Sequence, residues 1–107
     1  MNQQQFQKFF EDTVTQMREL LLKKGNDYNG TNSDKADRLS NFKDVGAVCK
    51  VTPANVSLQM ISMKVSRLTS LYSNGKPPEN ESVLDSAIDL LNYAMLHYAI
   101  LNEAKYV

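Results

Sequence analysis

Residues 52–75 read TPANVSLQMISMKVSRLTSLYSNG, and this stretch decides the fold. Thr52 followed by Pro53 is a helix start. Threonine supplies a capping oxygen, and proline at the first helical position lacks an N–H that would have no intrahelical partner. Leu58, Ile61, Val65, Leu68 and Tyr72 then recur every three or four residues, the period of a helix and not of a strand. Gln59, Ser62, Ser66, Thr69 and Ser70 form its polar face. Asn74-Gly75 closes the segment, so the predicted helix ends at about Ser73.

The same reading extends in both directions. Downstream, Lys76-Pro77-Pro78 is a short stiff connector, and a further helix is predicted from Glu79 or Asn80 to Glu103. Its broad apolar face is Leu84, Ala87, Ile88, Leu91, Ala94, Met95 and Tyr98. Upstream, Ser33 or Asp34 starts a shorter helix reaching about Lys50, although Gly46 weakens it. The first helix spans Gln3 to Lys24, with Phe6, Phe10, Met17 and Leu21 on one stripe and Phe9, Val14 and Leu20 beside it. Gly25 follows two lysines and reads as its stop, leaving Gly25 to Ser33 as a polar loop. Within that loop Tyr28 either packs inward or lines a site. Helices joined by short connectors, with no alternating strand and no repeat, predict an all-α fold: an antiparallel four-helix bundle-like single domain over residues 1–107.

Composition narrows the function. The chain has 107 residues, enough for one modest core, and a formal net charge of zero from twelve basic and twelve acidic side chains. A duplex-binding module carries a basic excess, so nucleic acid is not the expected main partner. Cys49 and His97 are single, which disfavours a structural zinc site. Cys49 is expected to be a small buried side chain, the five methionines core filling, and His97 packed or partly exposed. No apolar run approaches the ~18–20 residues that span a bilayer, and Met1 to Gln7 lacks the features of a signal peptide. The expected location is cytoplasmic, without a membrane partner.

The polar residues that interrupt the apolar pattern carry the chemistry. Glu81, Asp85 and Asp89 follow one another at i, i+4, and Asn92 continues their row. Like charges so spaced repel by roughly 0.2–0.5 kcal/mol per pair, so a basic group or a cation is expected to face them. Lys64 and Arg67 sit on a second apolar surface with Val56, Met60, Met63 and Leu71. Their spacing of three places both heads on one side of the helix, which suits a grip on phosphate oxygens. Two readings stay open at this point. In one, Lys64 and Arg67 form salt bridges with Asp85 and Asp89 and only fix the helix register. In the other, the acids hold Mg2+ with the help of waters and substrate phosphates.

Lys24-x-x-Asp27-Tyr28, Asn41-Phe42, Lys64-x-x-Arg67-Leu68 and Glu81-Ser82-x-x-Asp85-x-x-x-Asp89-Leu90-x-Asn92-Tyr93 occur in this order. This ordered set, from about Leu20 to Leu101, resembles the nucleotide modification associated domain 1 family of bacteria and phages. The resemblance implies a small helical phage-type protein that works on or near nucleotides. It nominates Asp27, Tyr28, Asn41, Lys64 and Arg67 for nucleotide and phosphate binding, and Glu81, Asp85 and Asp89 for the metal. The layout is more distantly similar to the all-α MazG-type nucleoside triphosphate pyrophosphohydrolases. Those enzymes hold magnesium between two acidic pairs, whereas here Lys64 and Arg67 stand where the second pair would fall.

Three functions follow as expectations. One is a magnesium-dependent pyrophosphohydrolase-like enzyme of nucleotide metabolism. A second is a non-catalytic phage protein, acting in the host cytoplasm, that sequesters a nucleotide second messenger and so blocks antiviral defence. The third is a protein-interaction bundle. Under each, a homo-oligomer, by default a dimer, is expected to cover the Val56, Met60, Met63 and Leu71 surface.

Overall fold

A computed structural model describes residues 1–29, 35–74 and 82–104, with side chains described for 1–23, 35–73 and 82–104. The fold is all-α, as the sequence predicts. Among the described residues four helices follow one another: α1 (Gln3–Asn29), α2 (Ser40–Cys49), α3 (Pro53–Asn74) and α4 (Val83–Glu103). No strand occurs among the described residues. None of these helices is long and apolar enough to cross a membrane. The chain divides into two compact units, Met1–Arg38 and Leu39–Val107.

In the first unit, α1 starts with a reciprocal cap. The Gln5 backbone N–H donates to Asn2 Oδ1 at 2.8 Å, and the Asn2 backbone N–H donates to Gln5 Oε1 at 2.9 Å. The helix does not stop at Gly25, as expected from sequence, but continues to Asn29. An internal glycine costs a helix only about 1 kcal/mol relative to alanine, too little to end one by itself. The backbone of Asp27 and Tyr28 is therefore helical rather than loop. Phe6, Phe9 and Phe10 are all about half exposed, and Met17 is the buried residue of their stripe.

The second unit is built on α3, which packs against both α2 and α4. α2 is shorter than expected, with Lys35–Leu39 forming turns and Ser40 the first helical residue. Its buried residues, Phe42 and Gly46, are one turn apart and so share a face. Gly46 is needed there: a Cβ at this position would lie 2.7 Å from the backbone oxygen of Val51. The helix ends on Lys50 in the left-handed conformation, φ 59°, which lets the Val51 N–H reach the Gly46 carbonyl at 2.9 Å. Left-handed backbone is costly for any residue with a Cβ. Lys50→Gly is therefore expected to raise stability by about 0.5–1 kcal/mol, read as a higher urea midpoint at unchanged slope; a lower midpoint would contradict the strain.

α3 begins as the sequence predicts. Thr52 Oγ1 accepts the Asn55 N–H at 3.1 Å, with Pro53 at the first helical position. The start of α4 differs. Its cap is Ser82, in a capping box with Asp85: Ser82 Oγ accepts the Asp85 N–H at 3.0 Å, and the Asp85 carboxylate accepts the Ser82 N–H at 3.2 Å. The serine of the sequence block thus caps the helix, whose first residue, Val83, comes four residues after Glu79 and three after Asn80.

α3 and α4 pair antiparallel, with Ser57 opposite His97 and Lys64 opposite Asp89. At α4's far end Glu103 accepts from Lys43 of α2 at 2.6 Å. The core of this unit is Leu39, Phe42, Ala54, Val56, Leu68, Leu96 and Ile100, together with the buried polar residues Ser57, Ser86 and Asn92.

Two apolar surfaces come out differently from their sequence reading. The face of α4 that looked like its core side is exposed at Leu84, Leu91, Met95 and Tyr98, while Ser86, Asn92, Leu96 and Ile100 are buried. On α3, Leu58, Val65 and Tyr72 are exposed and Val56 is buried. The Val56, Met60, Met63 and Leu71 surface is largely covered, with only Met63 exposed. Pattern strength alone does not say which of two apolar faces meets the neighbouring helix. Here the buried faces are those that bring Lys64 to Asp89 and Ser57 to His97 across the seam. Cys49 is exposed rather than buried. Met1, Met63 and Met95 are exposed too, so only part of the methionine set fills the core.

Candidate functional site

The seam between α3 and α4 gathers most of the nominated residues that the structure describes. Lys64 Nζ lies 3.0 Å from Asp89 Oδ2, with the two side chains 23% and 26% exposed. This is one of the salt bridges that the first reading of the acidic row anticipates. It is three-quarters withdrawn from water, so removing one partner leaves a costly unbalanced charge in the seam. Asp85 does not join it in the same way; its carboxylate serves the capping box, and its side chain is exposed.

A second polar contact crosses the seam about two helical turns away. Ser57 Oγ lies 2.6 Å from His97 Nδ1 and 2.9 Å from the Ala54 carbonyl. A serine hydroxyl has one proton to give. Donating it to Ala54 leaves the oxygen to accept from the His97 Nδ1–H, which satisfies all three groups. Ser57 is fully buried, so this pair is an internal tie and not an accessible nucleophile. His97 is half-buried, in keeping with the packed or partly exposed role expected of it.

The register and a turn of about 100° per residue define two sides of the helix pair. One side carries Arg67 from α3 with Asp85 and Asn92 from α4, beside the Lys64 and Asp89 pair in the seam. The other carries Leu58, Val65 and Tyr72 with Ala87, Leu91 and Ala94. On the polar side, Asn92 is only 7% exposed, and its Oδ1 has no hydrogen-bond partner among the described residues. Asn92 lies three residues, one helical turn, beyond Asp89. Ser86 Oγ on α4 and Asn41 Oδ1 on α2 are likewise buried without partners. A buried carbonyl oxygen left without a donor costs about 1–3 kcal/mol, so such atoms in a native protein mark a place where a water or a ligand completes the network.

The remaining nominated residues fall outside this picture. The side chains of Asp27 and Tyr28, and all of Glu81, lie outside the described residues. Of the set Glu81, Asp85 and Asp89, the described members are one capping carboxylate and one carboxylate held by lysine. Among the described residues, no three His, Cys, Asp or Glu side chains converge to hold a metal ion. Sequence reasoning missed Ser57 and Ser86. Small hydroxyl residues on a helix are ordinary surface, and only the contact with a second helix makes them seam residues.

No family model, no curated protein and no solved structure matches this chain.

Proposed function

We propose that the chain is a nucleotide-binding protein that holds its ligand on the polar side of the α3 and α4 pair without turning it over. Lys64 and Arg67 meet the phosphate oxygens. Lys64 is an ammonium with three donors, one of them shared with Asp89, and Arg67 a five-donor fork, so both suit phosphate oxygens added to the interactions they already make. Asn92 accepts from a ribose hydroxyl or from an amine of the base, which a phosphate cannot supply. The single observation that carries this reading is the buried, partnerless Oδ1 of Asn92 one turn from the Lys64 and Asp89 pair. The resemblance to a nucleotide-associated family supports it from the sequence.

Binding rather than hydrolysis is favoured by the state of the acids. Asp89 already balances Lys64, and Asp85 caps α4, so recruiting them to magnesium would cost both interactions. A sequestering phage-type protein, which withdraws a nucleotide messenger from its host, needs only the grip. The test is equilibrium binding of the purified chain to a panel of linear and cyclic nucleotides, with and without magnesium. One class is expected to bind, and Arg67→Ala to weaken it at least about tenfold, the loss of one charge-assisted contact. Arg67 is exposed, so this variant is expected to fold. Unchanged affinity in Arg67→Ala would sink the site. Magnesium-dependent pyrophosphate release, abolished in Asp89→Asn, would replace the binding reading with the hydrolytic one. A flat response across the panel would favour the protein-interaction bundle.

A further inference from the structure

A hydrogen-bond acceptor withdrawn from water needs a donor, and Asn92 Oδ1 has none among the described residues. Asn92 continues the row of Asp85 and Asp89. It follows Asp89 by three residues, a rise of about 4.5 Å along α4. Asp89 holds the Lys64 ammonium at 3.0 Å. The orphaned oxygen thus lies one turn from the charge that meets a phosphate. Ser86 Oγ, also buried without a partner among the described residues, is six residues before Asn92. That places it about 120° away around the helix, so it does not share this side.

We infer that Asn92 selects ribonucleotides over deoxyribonucleotides by accepting from the ribose 2′-hydroxyl, an inference that rests on the nucleotide reading above. Three features favour a sugar hydroxyl over a base amine, the other donor named there. The first is distance. The sugar is joined to its 5′-phosphate through a single methylene, while the base hangs from the far carbon of the sugar ring. The group met one turn from the phosphate is therefore the sugar. The second is access. Asn92 is 7% exposed. A hydroxyl projects alone from its ring, whereas an amine arrives with the flat edge of a base and needs an open slot. The third is reciprocity. A hydroxyl both donates and accepts, so it pairs with either end of the asparagine amide. Of the ribose hydroxyls, the 2′ group stays free in linear and 3′,5′-cyclic nucleotides alike. It is also the group by which a protein tells ribose from deoxyribose.

The experiment is titration calorimetry on the full chain. The probes are the 5′-monophosphates, 5′-triphosphates and 3′,5′-cyclic monophosphates of adenosine, guanosine, cytidine and uridine, each beside its 2′-deoxy analogue. The wild type is expected to bind the ribose form of its preferred nucleotide at least about tenfold more tightly than the deoxy form, the effect of leaving a buried acceptor without its donor. Asn92→Leu keeps the volume and removes the acceptor, and is expected to erase that difference. A residue that only shaped the seam would weaken both forms alike and leave their ratio unchanged, so the ratio is the readout. If leucine lowers the helical circular dichroism, Asn92→Ala makes the same comparison. Equal affinity of the wild type for both sugar forms overturns the inference and leaves the nucleotide site standing. A ribose preference that survives in both variants overturns Asn92 as its source. Binding of none of these nucleotides overturns the inference together with the reading it rests on.

Discussion

Phe42→Ala is expected to lower stability by about 3–5 kcal/mol, the usual range for removing a buried aromatic side chain. Phe42 is 3% exposed. It belongs to α2, whose ten residues are too few for a helix to persist alone in water. α2 therefore depends on packing against α3, and only Phe42 and Gly46 are buried within it. Gly46 has no side chain to contribute, so Phe42 is the apolar anchor of the whole element. Against the ~5–15 kcal/mol that a domain of this kind has in total, the loss is a large fraction. Chemical denaturation with circular dichroism reads it directly. A change below about 1 kcal/mol would mean that the side chain is not packed as the structure has it.

Ile100→Ala is expected to cost about 2–5 kcal/mol. Ile100 is also 3% exposed, on the face of α4 that the sequence did not single out. It lines a pocket of about 60 Å³ with Leu39, Pro53 and Ala54, beside the Lys43 and Glu103 ion pair. Truncation enlarges a space that already exists, and the cost of a core deletion grows with the cavity it leaves. The informative comparison is Leu91→Ala. Leu91 lies on the more continuous apolar stripe yet is 43% exposed, so it is expected to cost less than half as much as Ile100→Ala. Equal costs would mean that the two faces of α4 have been assigned the wrong way round.

That comparison also shows what the sequence could and could not convey. Helix type and number were legible because the 3.6-residue period is strong in every segment, and Thr52-Pro53 marks a helix start that side-chain chemistry enforces. The cap at Ser82 was hidden by better-looking candidates upstream, since its partner Asp85 was read as a metal ligand. Gly25 was over-read as a stop, because a glycine only permits a helix to end. The orientation of α3 and α4 was not legible at all. Both helices have two apolar faces, and the tidier one invites assignment to the core. The contacts that choose between them, Lys64 with Asp89 and Ser57 with His97, join residues 25 and 40 apart, which no local pattern reports. For the candidate site, the pairing of a lysine with the acidic row could be anticipated from like-charge repulsion along α4. The burial of Asn92 could not, because an asparagine in line with three acids reads as more of the same polar row.

The central claim is that the polar side of the α3 and α4 pair binds a nucleotide and returns it intact. The measurement that tests it most directly is mass spectrometry of the purified chain incubated with the nucleotide panel and magnesium, with the bound fraction released by heat. One nucleotide, co-purified by the wild type, recovered unchanged and absent from Arg67→Ala, is the result predicted here. Recovery of hydrolysed product alone, or of no nucleotide from either protein, would contradict it.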